Sequence, residues 1–453
     1  MPATQASPHT IIVTPADPGW DDARQAWSLA VDQHPAAVAQ PRSADDVVAA
    51  VRYARELGLR VAAQATGHSA APLGDLADTL LVKTSAMRHV TIDPVGRIAR
   101  AEAGAVWRDV AEAAATHGLA GLAGSSPSVG VAGYTLGGGI SWLSRGYGLS
   151  ANNVQAIDVV TADGRLMRAD AYHNQDLFWA LRGGGGSFGV VTAIELRLFP
   201  LTEVIAGLLW WPADAASEVL QAWRELTQSD PPDEFTSSAR LARFPAVPDI
   251  PAQLRGKSFV IVTVVSLATV AETDTLLAPL RALHPVTDTV ATIPAEGLCR
   301  LNSEPDHPVP SVGDGLMLAS LPAEAISEFV GVFGGDASRT LLAADLIHVG
   351  GEMRRIRPGH GALAAIDADY VMFAVGTAPD AEAVPTVASA VRAARAAMSP
   401  WAARQMYLNL ADTRRDPASF WTPQAYDRLR AVKAAYDPDD LIRSNHPIPS
   451  ASW

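Results

Sequence analysis

The sequence has 453 residues, of which 48% are hydrophobic and 18% charged, and its formal net charge is -13. A chain of this length and composition forms a packed globule and is too long for one ordinary core, so we expect two or three domains. The negative charge argues against nucleic acids and anionic membrane surfaces as partners, because both bind clustered basic residues.

Cysteine usage and the N-terminal stretch exclude further classes. Cys299 is the single cysteine, which excludes an internal disulfide, a thiolate metal cluster and a CxxC redox pair, and we expect no metal site. The opening stretch MPATQASPHTIIVTPADPGWDD shows no charged segment followed by an apolar one, so no secretion signal is apparent. No run approaches the roughly 18 apolar residues of a membrane span, and we expect a cytoplasmic location.

The first clearly predicted helix begins at Ser43, where Asp46 three residues later suggests a capping box, and it ends at Gly58. Four apolar positions share one face of this helix: Val47, Val51, Ala54 and Leu57. Residues 59–63 then form a predicted buried strand, which runs into the turn Thr66-Gly67-His68. A histidine at the tip of a strand is more often a hydrogen-bonded loop residue than a functional one, so this turn needs support from elsewhere.

Further along, Asp163-Gly164 between two apolar runs predicts a β-hairpin, and Asn174 is the expected cap of a short helix over 175–182. Residues 190–199 alternate in polarity, which is typical of a half-buried strand. The first two hundred residues therefore follow an α+β pattern without the regular strand–helix repeat of a doubly wound sheet.

From residue 203 onward the pattern changes. Amphipathic helices alternate with long apolar strands over 258–267 and 370–378, which predicts a second domain with an antiparallel sheet and helices over one face. The closing segment is predicted as a helix that ends at Tyr436-Asp437-Pro438, followed by an extended tail.

Two loops, 124–142 and 182–191, are dense in glycine. Gly184 to Gly189 match the string G-x-G-x-x-G, but they follow a helix and precede a strand, the reverse of a Rossmann turn, so we reject a nicotinamide site. Each loop alone could be a set of tight turns. Together with the turn at His68, the two loops favour a large phosphate-bearing ligand, because glycines allow close backbone approach and their amides can face an anion.

Three segments, ATGH, GSSPSVGVAGYTLGGGISWLSRGYGLSANNV and DLFWALRGGGGSFGVVTAIELRLFP, resemble the FAD-binding domain of the vanillyl-alcohol oxidase superfamily. The tail YLNLAD…YDRLRAVKAAYDPDDLIRSNHPIP resembles its berberine-bridge-enzyme-like branch, which includes bacterial 6-hydroxynicotine oxidases. The resemblance covers roughly residues 36–200 and 405–450.

The resemblance implies an α+β fold: a PCMH-type FAD-binding domain of two α/β subdomains, and a substrate domain whose antiparallel sheet is covered by helices. The expected boundaries are a lead segment 1–35, the FAD-binding domain 36–202, the substrate domain 203–402 and a C-terminal segment 403–453 that returns to the FAD-binding domain.

The resemblance also implies the residues that line FAD. Those around its pyrophosphate and ring are Gln64, Ala65, Thr66, Gly67, Ser69, Gly124, Ser125, Ser126, Val129, Gly130, Gly133, Tyr134, Gly137, Gly138 and Gly139. Further cofactor contacts are expected from Tyr147, Gly148, Leu149, Asn153, Val191, Asn409 and Asn445. Loop packing is the alternative for each residue, so the set carries more weight than any member.

His68 takes the place of the histidine that family members bond to the 8α-methyl group of FAD. Many members bond a cysteine as well, but Ser126 stands at that position, so we expect a single covalent link. Ala65 and Thr66 also depart from the family's usual arginine-glycine.

Tyr407, in a partly retained Tyr-x-Asn-Tyr segment, is the leading candidate for the base that takes a substrate proton, unless it only packs against the flavin. Arg404 is the nearest basic residue in sequence. Tyr370 and His348 are weaker candidates, because polar residues on a sheet often only complete hydrogen bonds.

The expected activity is an FAD-dependent oxidation of a small organic alcohol, amine or ring C–H of secondary metabolism, with O₂ as the acceptor. Val129 supports oxygen use, since the resemblance implies that valine at this position leaves oxygen access to the flavin where leucine obstructs it. The alternatives are a dehydrogenase with another electron acceptor and a non-catalytic flavin or ligand carrier. The oligomeric state is not encoded in any motif that we recognise.

Overall fold

The protein is described by a computed structural model that covers residues 11–248, 250–335 and 339–450. Three large β-sheets organise these residues, two in the N-terminal half and one in the segment that follows, and one small two-stranded sheet accompanies them. No helix within these ranges combines the length and the apolar character that crossing a bilayer requires.

The first sheet has the strand order β1-β2-β4-β3-β20. Its strands are β1 (Ile11–Val13), β2 (Ala37–Gln40), β3 (Arg60–Gln64), β4 (Thr79–Lys83) and β20 (Ile442–Arg443). The pairs β2–β4, β4–β3 and β3–β20 are parallel. Helices α1 (Trp20–Arg24) and α2 (Ala44–Leu57) belong to this part of the chain.

Helix α2 follows the sequence prediction closely at both ends. The Ser43 side chain accepts a hydrogen bond from the Asp46 amide, and Gly58 takes a left-handed conformation at the C-terminus. The Asp46 carboxylate also accepts from the amide of Arg42. Leu57, predicted on the same face as Val47, Val51 and Ala54, is 56% exposed at the last residue of α2.

The second sheet is antiparallel, with the order β5-β6-β10-β8-β9. Its strands are β5 (Val90–Asp93), β6 (Ile98–Glu102), β8 (Val154–Val160), β9 (Leu166–Asp170) and β10 (Val190–Arg197). Two short strands, β7 (Leu119–Ala120) and β11 (Phe199–Pro200), pair beside it. The helices of this region are α3 (Trp107–Ala115), α4 (Val131–Leu136), α5 (Ser144–Tyr147) and α6 (Gln175–Leu181).

Two predictions for this region need correction. The hairpin at Asp163-Gly164 joins β8 to β9 as expected, but β10 is buried along most of its length rather than on one face. The reason is that β10 is the central strand, flanked by β6 and β8. Asn174 does precede α6, yet its side-chain amide donates to the Arg168 carbonyl instead of capping the helix.

The third sheet is antiparallel throughout and has the order β15-β12-β14-β13-β18-β19-β17, with β16 paired to β12. Its longer strands are β12 (Glu203–Pro212), β13 (Phe235–Arg243), β14 (Ser258–Ser266), β17 (Ser311–Leu318), β18 (Leu341–His348) and β19 (Tyr370–Thr377). Its short edge strands are β15 (Thr287–Asp288) and β16 (Ala291–Pro294).

Four helices cover one face of this third sheet, as the sequence predicts for the region after residue 203. They are α7 (Ala216–Gln228), α8 (Val270–Arg281), α9 (Ala323–Gly334) and α10 (Val384–Met398). A continuous apolar core joins them to the sheet, with the rings of Trp211, Trp223 and Phe329 inside it. We call this side the helix face, and the opposite side the open face.

The C-terminal segment contains α11 (Pro423–Tyr436), which ends where the sequence predicts. The tail beyond it is more than an extended coil, because Ile442 and Arg443 form β20 and add a strand to the first sheet beside β3. Lys433 fixes this return: its fully buried ammonium group contacts Asp437 and donates to the carbonyls of Ser187 and Ile442. The C-terminal segment is thereby held against both N-terminal sheets.

Candidate active site

The turn after β3 presents backbone donors that the protein itself does not use. Among the described residues, none of the amides of residues 66–69 is paired with another protein group. Gly67 has φ 87, a backbone conformation that glycine adopts readily and that strains residues with a side chain. Successive free amides in a tight turn form a site for an anionic oxygen.

A second loop lies beside this turn. Gly130 approaches Ala65 so closely that a β-carbon added to Gly130 would lie 3.2 Å from the β-carbon of Ala65. Nearby, Ser126 Oγ lies 3.0 Å from Ser128 Oγ, and the amides of Ser125 and Ser126 are likewise unpaired among the described residues. The loop therefore extends the donor set of the turn.

His68 stands between the two loops. Its ring stacks on Trp27 with 4.5 Å between the ring centroids, and its Nε2 lies 3.2 Å from Ser128 Oγ. Burial lowers the pKa of His68 to about 4, so the imidazole is neutral near pH 7. From the C-terminal tail, Asn445 donates through its side-chain amide to the carbonyl and the hydroxyl of Ser69.

Tyr407 lies against the glycine-dense loop 124–142, at Gly139 and Ile140. Its phenolic oxygen accepts hydrogen bonds from the amide of Ile140 at 2.9 Å and from Nδ2 of Asn409 at 3.1 Å, and the amide of Gly139 also points at it. No described residue accepts the proton of this hydroxyl. Gly139 has φ 74, and a β-carbon there would lie 2.6 Å from Ser150, so the loop conformation that gathers these donors requires glycine.

Two opposing effects act on the pKa of Tyr407. Burial raises the pKa of Tyr407 above its ordinary value, and the donors from Ile140, Gly139 and Asn409 lower it less than burial raises it. Arg404 is exposed and is not among the groups that act on this pKa, so it does not stabilise a phenolate there. Tyr407 is thus a phenol at neutral pH in the protein alone.

Tyr370 and His348, the two weaker candidates for the base, lie on the helix face of the third sheet, away from Tyr407. The hydroxyl of Tyr370 is hydrogen-bonded to that of Thr227 of α7 at 2.6 Å. His348 packs beside Tyr370, its Nε2 is 3.5 Å from the guanidinium of Arg145, and burial lowers its pKa to about 3. The structure does not bring either residue to Tyr407.

The open face of the same strands carries charged groups that the sequence reasoning missed. Asp345 accepts from Nε of Arg240 on the neighbouring strand at 2.6 Å, and Glu304 contacts the same guanidinium at 3.1 Å. Asp345 is separated from His348 by only two residues. Strict alternation along β18, read with Leu346 as a core residue, would have directed attention to Asp345.

The segment around Tyr407 borders this open face. A β-carbon on Gly315 of β17 would lie 2.6 Å from the carbonyl oxygen of Leu410, so residues 407–410 run directly along the strand. Gly315 is opposite Phe373, Phe373 opposite Asp345, and Asp345 opposite Arg240, which places them in one row across the sheet. The row gives the open face a charged centre that is flanked by the Tyr407 segment.

The remaining predicted cofactor residues divide into two groups. Gly124, Tyr134, Gly137 and Gly138 pack around the Tyr407 loop, and Asn409 also donates to the Tyr134 carbonyl. Other members have protein partners of their own. Asn153 donates to the carbonyls of Tyr147 and Leu149, the Tyr147 ring stacks on Phe199, Gly148 borders Glu352, Gly133 is exposed and Val191 lies within the second sheet.

Comparisons with known proteins bear on this site. Residues 35–170 match the family model described as "FAD binding domain", and residues 406–449 match the one described as "Berberine and berberine like". The predicted resemblance is confirmed. The chain is an FAD-linked oxidoreductase, and it is similar to the berberine-bridge-enzyme-like branch at both matched segments.

Relatives extend the match beyond these two segments. The chain is 29% identical to (R)-6-hydroxynicotine oxidase from Paenarthrobacter nicotinovorans, over 98% of each chain. It is 36% identical to glucooligosaccharide oxidase from Sarocladium strictum over 190 residues, 41% of this chain and 38% of the relative. The crystal structure of 6-hydroxy-D-nicotine oxidase from Arthrobacter nicotinovorans superposes with a TM-score of 0.84 at 26% identity, covering 99% of both chains.

The residues of this FAD-linked oxidoreductase fit its cofactor. The unpaired amides of residues 66–69 and of Ser125 and Ser126 are donors suited to the two phosphates of FAD. These donors lie beside His68, and the loop that contains Ser125 and Ser126 continues to Ile140, whose amide donates to Tyr407. This arrangement has hydrogen-bond donors at one end and a glycine-lined apolar wall at the other. It can therefore bind a pyrophosphate together with a ring system.

Proposed function

We propose that this protein is an FAD-dependent oxidase that removes a hydride from a small organic substrate, an alcohol, an amine or an activated ring C–H, and passes the electrons to O₂ to give H₂O₂. One observation carries the proposal. The phenolic oxygen of Tyr407 is held by donors from Ile140 and Asn409 at the border between the FAD-binding loops and the open face of the third sheet.

FAD supplies the redox chemistry by accepting a hydride from the substrate. The protein's own residues bind the cofactor and orient the substrate. The free amides of residues 66–69 hold the phosphates, and the open face, centred on Asp345 and Arg240, lies opposite as the surface that orients the substrate. Tyr407 is the group placed to take the proton from the substrate O–H or N–H, since no described residue competes for a bond from its hydroxyl.

The raised pKa of Tyr407 sets a condition on this role. A phenol whose ordinary pKa is about 10, raised further by burial, accepts a proton only after it has lost its own. The donors from Ile140, Gly139 and Asn409 stabilise the phenolate once it forms. We therefore expect catalysis through Tyr407 to become faster as the pH rises.

We further propose that FAD is attached by one covalent bond to His68. The neutral imidazole is a competent nucleophile, and its position beside Ser128 and the donor turn supports the assignment. Ser126 occupies the position where a second, cysteinyl link would form, and Cys299 is buried in a different part of the chain. A histidyl bond raises the flavin's reduction potential, which favours hydride removal.

Substrate-dependent flavin bleaching tests the activity. The purified protein is mixed without oxygen with a panel of amines, alcohols and sugars, and the absorbance of the flavin is recorded. At least one class should bleach it, and admission of air should restore the colour with formation of H₂O₂. Bleaching that only an artificial dye reverses would instead establish a dehydrogenase. Absence of bleaching across the panel, with FAD bound, would support the non-catalytic alternative.

A further inference from the structure

Lys83 is a buried cation that has no carboxylate partner in the part of the chain that the structure describes. It is the last residue of β4 and is only 9% exposed. Its ammonium group donates to the backbone carbonyl of Gln25 at 2.5 Å. Burial lowers the pKa of Lys83 to about 8, so the group is still mostly charged at pH 7. Because a buried charge without an opposite charge is costly, this position favours an anion that comes from outside the protein.

Lys83 stands beside the turn that presents free amides. In the parallel pair β3–β4 it is the register partner of Gln64, the residue with which β3 ends before the turn 66–69. Neighbouring strands lie about 4.8 Å apart, so the two side chains leave the sheet close together. The segment that accepts the Lys83 bond also contacts the turn, since the amide of Trp27 donates to the carbonyl of Thr66.

The side chain of Gln64 is a second unsatisfied group at this place. Gln64 is 6% exposed, and neither its side-chain nitrogen nor its side-chain oxygen has a hydrogen-bond partner within the described ranges. The nitrogen lies beneath the turn, 2.1 Å from where a β-carbon on Gly67 would be. Buried polar groups are normally paired, so an unpaired donor here points to a ligand. An ammonium group, a side-chain amide and the free backbone amides are thus gathered at one edge of the first sheet.

We propose that Lys83 supplies the positive charge that binds the diphosphate of FAD, with the side-chain amide of Gln64 as an additional donor. This inference rests on the FAD site described above and adds a residue that no motif indicated. The backbone amides of residues 66–69 orient the phosphates, and the ammonium group compensates their negative charge where water is largely excluded.

Other charged side chains on the neighbouring elements have partners of their own. Asp22 is exposed, and burial keeps His68 neutral near pH 7. The ion pairs are Arg24 with Asp21 and Asp32, Arg60 with Asp440, Arg88 with Asp109, and Arg443 with Asp78. Burial alone accounts for the lowered pKa of Lys83. A change in cofactor affinity near pH 8 can therefore be assigned to this ammonium group.

The direction of that change follows from linkage. A diphosphate binds the charged form of Lys83, so binding raises the pKa of the ammonium group above its value of about 8 in the FAD-free protein. The affinity for FAD should consequently be constant below pH 8 and should fall as the pH rises above it.

The test measures reversible FAD binding to the full-length chain carrying His68→Ala, in which FAD stays exchangeable. Lys83→Met, Lys83→Arg and the control Lys257→Met, which replaces an exposed lysine between β13 and β14, are added to this background. FAD is removed, and its rebinding is followed by quenching of flavin fluorescence. We expect Lys83→Met to weaken binding about 10–100-fold, as for the loss of one charged hydrogen bond. Lys83→Arg should retain most of the affinity, and Lys257→Met should not change it.

Three measurements separate this role from a structural one. Riboflavin, which lacks both phosphates, should bind equally well with lysine or methionine at position 83. Between pH 7 and 9 the FAD affinity should fall with Lys83 but not in Lys83→Arg or Lys83→Met. Thermal unfolding of the FAD-free protein should occur at the same or a higher temperature in Lys83→Met, because an uncompensated buried charge is removed.

The inference is overturned by unchanged FAD affinity in Lys83→Met, or by an equal loss of riboflavin binding. An FAD affinity that is the same at pH 7 and pH 9 in the protein with Lys83 overturns it as well, whatever the stability of Lys83→Met. None of these outcomes depends on substrate oxidation, so a failure of the proposed oxidase activity is detected separately by the bleaching experiment.

Discussion

The proposed cofactor side and the proposed substrate side of this site present different chemical groups. Around His68 the groups that we propose to face FAD are mostly backbone amides, held by short local turns at residues 66–69 and 124–130. The open face of the third sheet uses side chains instead, and Arg240, Glu304 and Asp345 meet there from three separate segments. The residues of the first side are contiguous in sequence, whereas those of the second come together only through strand register. Only the first side can therefore be predicted from a sequence pattern.

The difference has a physical consequence. A backbone donor does not change when a side chain is substituted, so the cofactor side tolerates sequence change as long as the turn conformation survives. Ala65 and Thr66, which depart from the usual family residues, still leave the amides of residues 66–69 free. On the substrate side each substitution alters the recognising group directly. Specificity is therefore expected to vary on the open face while cofactor binding stays constant.

The largest effect is expected at the one position of the cofactor side where a side chain is indispensable. His68→Ala should abolish covalent attachment, because the turn contains no other imidazole, thiol or amine side chain. Wild-type protein precipitated with acid should remain yellow, whereas the variant should release its FAD into the supernatant. A colourless wild-type precipitate would contradict the assignment of His68.

Tyr407 stands at the border between the two sides. Tyr407→Phe removes the hydroxyl and keeps the ring, and it should slow anaerobic flavin reduction by roughly 10²–10⁴-fold, the usual value of a general base. Since burial raises the pKa of Tyr407, the wild-type rate should still be rising with pH above neutrality, and the variant should lose this dependence. Reduction at the wild-type rate, with covalent flavin intact, would remove Tyr407 from the mechanism.

On the substrate side, Asp345→Asn should weaken substrate binding without affecting flavin attachment. Loss of a charged hydrogen bond corresponds to about 1.5–3 kcal/mol, or roughly 10–100-fold in KM. The variant also removes one of the two carboxylates that contact Arg240 among the described residues, so its thermal unfolding is recorded in parallel. An unchanged KM in a stably folded variant would show that the open face does not contact the substrate.

Val129 tests the second half-reaction. Val129 is partly buried beside the serine pair, in the loop that faces His68. Val129→Leu adds a CH₂ group where the resemblance implies oxygen access. Stopped-flow reoxidation by air should therefore slow by roughly 5- to 150-fold, which corresponds to a cost of about 1–3 kcal/mol. Flavin reduction by substrate, measured without oxygen, serves as the control and should not change.

The smallest effect is expected on the helix face. Tyr370→Phe removes the bond to Thr227 and should lower the free energy of unfolding by about 0.5–1.5 kcal/mol, with KM and flavin reduction unaffected. Tyr370 and Asp345 lie on opposite faces of adjacent strands, so the pair is a matched comparison of the two surfaces. A large kinetic effect in Tyr370→Phe would mean that the helix face takes part in the reaction.

The sequence was most informative where chemistry is local. The cap at Ser43, the hairpin at Asp163-Gly164 and the turn at His68 are encoded within a few residues, and the structure contains each of them. The strand β20 was missed because two residues give no periodic signal, and their pairing with β3 is a contact across the whole chain. Which face His348 occupies depends on its register with Tyr370, which propensity alone does not determine.

The return of the tail has a consequence for how the protein matures. Asn445 reaches back across 376 positions to Ser69, and β20 completes the sheet whose β3 leads into the His68 turn. During synthesis the N-terminal strands emerge first, but the edge beside β3 stays open until the ribosome has passed residue 445. We therefore expect flavin loading to be a late event of biogenesis. A yellow colour in newly made protein would report that the polypeptide has been finished and has closed on itself.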